Sequence, residues 1–544
     1  MSDKVIVTVN EGKIKGVKKT SSFSGVEYCS FLGVPYAQPP EGQLRFKDPV
    51  KVKPWKNGIL DATTEKGGCR QFCIFQKEIT GSEDCLYNNI HTPKLPSKGD
   101  PLKPVIAVVH PGGFLFGSAD PQSYGSPEFV IHHDVVFVSI SFRLHILGFL
   151  NLGLKECSGN QGIKDVLLSL KWIKDNIKVF GGDPDNITLL GSSSGSAIVH
   201  ALMISPKAQG SFQKAVLMGM YATNPTLVAP KENMTPAFEL ALSLGYDGVD
   251  MKDKKKLLSF FKKIDIDMII TFKPESHLHE ENAPLFPASM FVPMFDDDED
   301  SILPMSALDT IKSTPRIPLL IGFCDKEAAM AFTRKFNKTI TRNFYSTVRQ
   351  NYYGWGRDLS NEDLKQMQKE IEKFYLNGNS VDNAPLSLKV DIQTDVALSD
   401  VYDAVINVIA ADRPESVFVY RFDYEGNFST MKDRVLALID EPLEGSVHGC
   451  DYSYFVFMKE FNTGARFTLT EKSHKMVDVF TKLICTFATT GNPNYTGVEV
   501  QWEPSTIENP RYLSINEPLK LVNGKLNGER MEFWENLKRK YKKG

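Results

Sequence analysis

The 544-residue sequence has no run of eighteen apolar residues and few cysteines, eight in all. A transmembrane helix needs about 20 mostly apolar residues, so we expect no membrane span. Cys69 and Cys73 lie close together, but no second pair at a zinc-ligand spacing accompanies them, so no metal site is predicted. The first ten residues lack the apolar core of a signal peptide. We therefore expect a cytoplasmic protein whose cysteines are reduced.

The sequence also lacks an excess of charge of either sign. Its formal net charge is −3 at pH 7, with 42% hydrophobic and 24% charged residues, as in ordinary globular proteins. This balance gives no reason to expect a nucleic-acid partner and favours a small or neutral ligand. An acidic run at 296–300 and a basic run at 538–543 are interpreted as a solvated loop and a solvated helix end, because runs of like charge repel each other unless water screens them.

The pattern of apolar segments favours an α/β fold with an open, mostly parallel sheet and helices on both faces. Continuously apolar segments are typical of buried parallel strands, and the first forty residues resemble short antiparallel strands. Segments 230–300 and 333–395 are charged and helical in pattern, and we interpret them as insertions that cover the sheet. The predicted parallel strands are 104–110, 135–142, 186–190, 214–217, 317–323 and 417–424, and the predicted helix before the third of them covers 163–177.

Residues 191–195 read Gly-Ser-Ser-Ser-Gly, the G-x-S-x-G pattern in which small residues let a strand turn sharply into a helix. A strand pattern at 186–190 precedes it and a helix pattern at 196–203 follows it. In that setting the central residue, Ser193, is presented as a nucleophile at the top of a parallel sheet. The pattern alone is weak, because a random chain of this length matches it about one time in five. The assignment of Ser193 as a nucleophile therefore depends on finding its partner residues.

A serine nucleophile needs a histidine base and a carboxylate that orients the histidine. In this setting they follow the serine in the order acid, histidine. His448 lies in a glycine-flanked loop, whereas His200 is on a helix and His474 is at a polar helix start, so His448 is the predicted base. Glu327 follows the strand at 317–323, on the edge where parallel sheets bind ligands, and is the predicted acid.

Backbone N–H groups are predicted to hold the negatively charged oxygen of the reaction intermediate. Gly112 and Gly113 follow the strand at 104–110 and carry no side chain that would obstruct a substrate. Ser194 follows the nucleophile at a helix start, where N–H groups are free. Three donors are therefore expected to converge on one oxygen, and this chemistry requires no metal or organic cofactor.

The sequence resembles the type-B carboxylesterase family, the cholinesterase-like branch of the α/β-hydrolases, and looks most like the intracellular carboxylesterases of insects. The motifs that carry the resemblance lie at 31–37, 82–87, 110–114, 159–162, 180–184 and 491–494. It implies an α/β-hydrolase fold in one domain, 1–544, with insertions over the active site. It also implies the site chosen above, namely the triad Ser193, Glu327 and His448 with the oxyanion donors Gly112, Gly113 and Ser194.

The resemblance further implies two buried structural ion pairs and one cysteine pair. The ion pairs are Arg45 with Glu83 and Arg143 with Asp165. Cys69 and Cys85 are similar to a disulfide pair of secreted relatives, but in a reducing cytosol we expect free thiols.

The sequence departs from the family pattern at four positions near the elbow. Ser192 and Ser194 stand where relatives commonly have glutamate and alanine, and Pro111 replaces the first of three glycines. Gly219 stands where many relatives carry a serine that hydrogen-bonds the triad acid. We expect the backbone donors to tolerate Ser194 and Pro111, whereas Gly219 is expected to deprive Glu327 of a partner.

The predicted function is that of a serine carboxylesterase acting on neutral, apolar esters, either xenobiotic or of lipid or hormone type. No tryptophan lies between Cys69 and Cys85, and Ser192 is uncharged, so the main attractions for a quaternary ammonium are missing. The expected partners are small-molecule esters and covalent organophosphate inhibitors, with no nucleic acid, and the expected state is a monomer or weak homodimer. The alternatives are a weak family member that sequesters ester or organophosphate ligands, and a non-enzymatic, adhesion-like relative.

Overall fold

The computed structural model describes most of the chain. The described ranges are 4–55, 58–73, 78–222, 234–248, 250, 252–271, 291–296, 301–304, 317–332, 359–401, 416–426, 428–459 and 469–541. Much of both predicted insertions lies outside these ranges, including 272–290 and 333–358. In the part of the chain that is described, none of the helices combines the length and apolar character that a bilayer crossing requires.

The described chain forms seventeen strands. They are β1 (Lys4–Val9), β2 (Gly12–Thr20), β3 (Glu27–Pro35), β4 (Ile59–Asp61), β5 (Gln71–Cys73), β6 (Glu78–Thr80), β7 (Tyr87–Thr92), β8 (Lys103–Val109), β9 (Val136–Ile140), β10 (Asn151–Leu154), β11 (Cys157–Ser158), β12 (Gly182–Ser192), β13 (Lys214–Met218), β14 (Leu319–Cys324), β15 (Val417–Phe422), β16 (Arg511–Ile515) and β17 (Lys520–Asn523). The predicted parallel strands are confirmed as β8, β9, β12, β13, β14 and β15, with ends that differ by a few residues.

One large sheet holds thirteen of these strands in the order β1-β2-β3-β7-β9-β8-β12-β13-β14-β15-β16-β17, with β4 beside β2. The strands from β9 to β16 pair in parallel, whereas β1, β2, β3, β7 and β17 pair antiparallel at the two edges. The antiparallel start of the chain is therefore confirmed. Because β8 and β12 are neighbours in the centre, the segments that follow them meet at one edge of the sheet.

The helices of the described residues cover both faces of the sheet. They are α1 (His145–Phe149), α2 (Gln161–Asn176), α3 (Ser194–Ile204), α4 (Thr235–Ser243), α5 (Lys254–Lys263), α6 (Ile266–Ile270), α7 (Asn361–Leu376), α8 (Leu386–Val401), α9 (Thr430–Leu436), α10 (Cys450–Phe455), α11 (Glu471–Thr490) and α12 (Glu529–Tyr541).

Strand β8 shows why its sequence is continuously apolar. Val105, Ala107 and Val109 pack into one core cluster with α2 and α3, whereas Ile106 and Val108 pack into a second cluster with α10 and α11. Successive side chains of a strand point to opposite faces, so a strand covered on both sides has no polar position. The predicted arrangement of helices on both faces is thus confirmed.

The two charged runs are less exposed than predicted. Asp296 is buried, and its carboxylate accepts hydrogen bonds from Asn160 Nδ2 at 3.1 Å and from the Leu303 N–H at 2.9 Å. The rest of the acidic run, 297–300, lies outside the described residues. In the basic run, Lys538 is buried within α12. The solvated-loop and solvated-end interpretations are therefore wrong at Asp296 and Lys538. At Asp296 the reason is a contact distant in sequence, the hydrogen bond from Asn160.

Candidate active site

The strand β12 ends at Ser192, and α3 begins at Ser194, so Ser193 occupies the turn between them. Its backbone has φ 54° and ψ −126°, a conformation that is strained for a residue with a side chain. Such strain costs about 1–3 kcal/mol and persists only where the surroundings impose it. Here the Ser193 N–H donates to the Met218 carbonyl at 2.8 Å, which holds the turn against β13.

Both glycines of the pattern are required by close packing. A Cβ on Gly191 would overlap the carbonyl of Gly195, and a Cβ on Gly195 would overlap the carbonyl of Val109 at the end of β8. A side chain at Gly191 would push the start of α3 away from β12, and a side chain at Gly195 would push α3 away from β8. The structure therefore confirms that residues 191–195 form a strand–turn–helix elbow.

Glu327 and His448 lie in contact, although 121 positions separate them. His448 Nδ1 donates to Glu327 Oε1, and the Cys324 N–H donates to Glu327 Oε2 at 2.8 Å. The loops that carry them are joined by a parallel bridge between Lys326 and Val447 and by the Lys326 N–H, which donates to the Ser446 carbonyl at 2.7 Å. The structure therefore brings together the acid and base predicted from the sequence.

The surroundings of His448 set its protonation. Burial alone would lower its pKa, but the charge of Glu327, their hydrogen bond and the charge of Asp451 together raise the pKa above its ordinary value. His448 Nε2 is buried and has no hydrogen-bond partner in the described structure. The nitrogen opposite Glu327 is therefore free to exchange a proton with another group.

Gly219 lies against this pair. Its φ is +88°, and a Cβ there would lie 2.7 Å from Glu327 Oε1 and 2.9 Å from His448 Cε1. The predicted alignment of Gly219 with the family serine fits this position beside the acid. Gly219 offers Glu327 no side-chain hydrogen bond, and the Cys324 N–H holds the second carboxylate oxygen of Glu327.

Asp451 is a buried carboxyl that the sequence reasoning missed. The Tyr420 hydroxyl donates to it at 2.8 Å, and its pKa is raised chiefly by burial and then by the charge of Glu327. The signal available was its position three residues after His448, where the glycine-flanked loop ends and α10 begins. Because Asp451 also helps to raise the His448 pKa, a second acid influences the base.

The predicted oxyanion donors lie on two neighbouring elements. Gly112 and Gly113 follow β8 with φ values of 133° and 64°, and no atom lies within 4 Å of the Cβ position of Gly113. Neither N–H is a donor among the hydrogen bonds of the described residues. Ser194 is the first residue of α3, so its N–H has no acceptor within the helix. The arrangement offers unpaired N–H groups beside the elbow.

The other candidate histidines have structural surroundings. His200 is buried on α3, where its Nδ1 accepts the Ala222 N–H at 3.1 Å and burial lowers its pKa to about 4. The ring of His474 stacks on Phe23 at 4.2 Å. His277 and His279 lie outside the described residues.

Comparison with known proteins now decides the family. The family model described as the carboxylesterase family matches residues 3–534. The chain belongs to the carboxylesterase family. It is 30% identical to a juvenile hormone esterase of Heliothis virescens, covering 90% of this chain and 86% of that protein. It is also 30% identical to esterase E4 of Myzus persicae, covering 92% and 88%, respectively.

The fold of this carboxylesterase matches a solved structure of the same class. It superimposes on juvenile hormone esterase from Manduca sexta, solved with OTFP covalently attached, with a TM-score of 0.82 and 26% identity. The match covers 99% of this chain and 100% of that one. The predicted family, the α/β-hydrolase fold and the class of carboxylic ester hydrolase are confirmed.

Both predicted ion pairs of the carboxylesterase are present. Arg143 and Asp165 are buried, with Nε and Nη2 of the arginine donating to the two carboxylate oxygens at 2.8 and 2.6 Å. Arg45 and Glu83 form a second two-pronged pair that is slightly more exposed. Paired, hydrogen-bonded geometry is what makes a buried charge tolerable.

Cys69 and Cys85 of the carboxylesterase are both buried and carry free thiols. Burial, followed by the hydrogen bond with Cys69, raises the pKa of Cys85 well above its ordinary value. The two thiols are therefore neighbours, and their redox state depends on the compartment.

Proposed function

We propose that this carboxylesterase hydrolyses neutral, apolar esters through an acyl-enzyme formed on Ser193. The observation that carries the proposal is the contact of His448 with Glu327, which leaves His448 Nε2 without a partner. This pair packs against Gly219, the residue after Met218, whose carbonyl accepts the N–H of the strained Ser193. Neutral imidazole is the form that accepts a proton, and Glu327 fixes the tautomer with the proton on Nδ1. Ser193, Glu327 and His448 are thus assigned as nucleophile, orienting acid and general base.

The reaction proceeds in two matched halves. His448 Nε2 takes the Ser193 hydroxyl proton as Oγ attacks the ester carbonyl, and the imidazolium then protonates the departing alcohol. Water repeats the sequence on the acyl-enzyme, which releases the carboxylic acid and restores the serine. The N–H groups of Gly112, Gly113 and Ser194 are assigned to the oxyanion, and each such donor is worth roughly 3 kcal/mol of barrier.

The substrate assignment rests on the lack of the two groups that would attract a cationic substrate. Ser192 is buried and neutral beside the nucleophile, and the loop from Cys69 to Cys85 contains no tryptophan. A quaternary ammonium needs an aromatic face or an anion for its recognition. Xenobiotic esters and esters of lipid or hormone type are therefore the favoured classes. Detoxification is the physiological role that the first class suggests, and the similarity to juvenile hormone esterase supports the second class.

Two kinetic measurements test this proposal. Pre-steady-state hydrolysis of a nitrophenyl ester is expected to show a burst equal to the enzyme concentration, followed by steady turnover. A choline ester is expected to react more slowly than a nitrophenyl or naphthyl ester of equal acyl length. Faster hydrolysis of the choline ester would contradict the substrate class, and a burst without turnover would favour the sequestering alternative.

The proposal also covers inhibition by organophosphates and the location of the protein in the cell. Organophosphates are expected to phosphorylate Ser193 and to persist there, because His448 is poorly placed to activate water in line with the leaving group. A cytoplasmic location stays a prediction from the sequence, and a reducing cytosol would keep Cys69 and Cys85 as free thiols. A monomer or weak homodimer stays a prediction from the sequence.

A further inference from the structure

We propose that Gln71 is a positioning residue for ester hydrolysis, which holds the oxyanion loop in its working geometry. The oxyanion loop is defined here as residues 112–117. The inference rests on the proposed function, since it assumes that the N–H groups of Gly112 and Gly113 bind the oxyanion. Gln71 lies at the start of β5, in a different part of the chain from the loop.

The side-chain amide of Gln71 makes two hydrogen bonds to one residue of the loop, Gly117. Gln71 Oε1 accepts the Gly117 N–H at 2.6 Å, and Gln71 Nε2 donates to the Gly117 carbonyl at 2.9 Å. Nε2 also donates to the Cys69 carbonyl at 2.9 Å. The side chain is only 4% exposed, so water does not compete strongly for these bonds. Both N–H groups of the amide are engaged, which leaves none for a substrate.

Direct packing couples the position of Gly117 to the positions of the oxyanion donors. A Cβ on Gly117 would lie 2.5 Å from His110 Nδ1 and from the Pro111 carbonyl, so the end of the loop packs on the two residues that precede it. The neighbouring Phe116 carbonyl fills the space that a Cβ on Gly112 would need. The Phe116 N–H in turn donates to the Gly112 carbonyl at 3.2 Å. A shift of Gly117 would therefore move the Gly112 N–H.

The residue before Gln71, Arg70, is linked to the middle of the same loop through His145. The His145 N–H donates to the Phe114 carbonyl at 2.6 Å, and His145 Nε2 donates to the Arg70 carbonyl at 2.8 Å. Burial lowers the His145 pKa to about 4, so the ring is neutral near pH 7 and has a single N–H for this bond. Arg70 is itself anchored by a two-pronged ion pair with Asp267 of α6. Residues 70 and 71 thus support the loop at two points.

The experiment compares Gln71→Met, which keeps the shape of the side chain and removes its hydrogen bonds, with Gln38→Met as the control. Among the described residues, the Gln38 side chain makes one hydrogen bond, to the Lys51 carbonyl at 3.2 Å, and none to the oxyanion loop. Each variant is assayed for kcat and KM on a nitrophenyl ester. Inhibition constants are measured for an alkyl trifluoromethyl ketone, which forms a charged adduct with serine, and for the matching methyl ketone.

Loss of one oxyanion donor costs about 10²–10³-fold in kcat, so a displaced donor is expected to cost about 10–100-fold. In Gln71→Met we expect this fall in kcat, an equal weakening of the trifluoromethyl ketone, and KM and methyl ketone binding within about threefold of wild type. Gln38→Met is expected to match wild type throughout. Unchanged kcat and trifluoromethyl ketone inhibition in folded Gln71→Met would overturn the inference, as would equal weakening of both ketones.

Two further measurements keep the result interpretable. If Gln71→Met does not fold, Gln71→Glu, which retains an acceptor for the Gly117 N–H but has no N–H donors, is judged by the same outcomes. Ser193→Ala is assayed in parallel, because activity that survives in Ser193→Ala would reject the proposed function itself. Activity that depends on Ser193 but not on Gln71 would reject only the present inference.

Discussion

Replacing Gly219 with alanine is expected to damage catalysis by moving the acid and base rather than by unfolding the protein. The new Cβ would lie 2.7 Å from Glu327 Oε1, 2.9 Å from His448 Cε1 and 3.0 Å from His448 Nδ1. Ordinary van der Waals contact begins near 3.4 Å, so the carboxylate would have to move by about 0.7 Å. Glu327 is not free to do so, because the Cys324 N–H and His448 hold its two oxygens.

The size of the effect follows from two separate costs. The φ of +88° costs a residue with a side chain about 1–2 kcal/mol of stability. A displacement approaching 1 Å in a catalytic group costs up to about 100-fold in rate, so kcat is expected to fall about 10–100-fold. KM is expected to change little, since the acid and base do not bind the ester.

Gly245→Ala separates the two costs. Gly245 has the same φ of +88°, but no atom lies within 4 Å of its Cβ position. Both variants are expected to lose similar stability in thermal unfolding, and only Gly219→Ala is expected to lose kcat in a nitrophenyl ester assay. A Gly219→Ala enzyme with a kcat within twofold of Gly245→Ala would refute the reasoning.

Three further predictions concern the base, a buried ion pair and the thiols. The raised pKa of His448 places the acid limb of the kcat/KM profile above the ordinary histidine pKa, because the base works only when it is neutral. Glu327→Gln is expected to move that limb to lower pH and to lower kcat by about 10⁴-fold. A pH–rate profile of both enzymes would show these changes. Asp165→Asn would strand the buried Arg143 and is expected to cost roughly 3–5 kcal/mol in denaturant unfolding, against about 0–1 kcal/mol for the exposed Asp185→Asn. A thiol titration of denatured, unreduced protein is expected to find eight thiols, and six would indicate the Cys69–Cys85 disulfide.

Much of the fold could be predicted because the pattern of apolar residues in a strand reflects which of its faces are buried. β8 is apolar at successive positions from Val105 to Val109 since helices cover both faces, whereas a strand with one solvated face would alternate apolar and polar residues. The elbow was recognisable for a similar reason, as its glycines are fixed by the overlap of Gly191 with Gly195 and of Gly195 with Val109. Local sequence and local sterics agree at these places.

The predictions that failed depend on contacts between distant parts of the chain. The acidic run has the composition of a solvated loop, but Asn160, 136 positions from Asp296, provides a buried hydrogen-bond donor for its carboxylate. The bond from the Cys324 N–H to Glu327 Oε2 is local by contrast, and it was not predicted from the sequence. The hydrogen bonds between Gln71 and Gly117 span 46 positions and likewise could not be predicted from the sequence.

The central claim is that Ser193 is the nucleophile of this carboxylesterase, and mass spectrometry of the inhibited enzyme tests it most directly. After reaction with an organophosphate until esterase activity is lost, peptide mapping is expected to find one phosphoryl group per chain, on Ser193. Ser193→Ala is expected to take up no label and to retain no more than about one part in 10⁵ of wild-type kcat. A label on another residue, or ester hydrolysis by Ser193→Ala at the wild-type rate, would contradict the account.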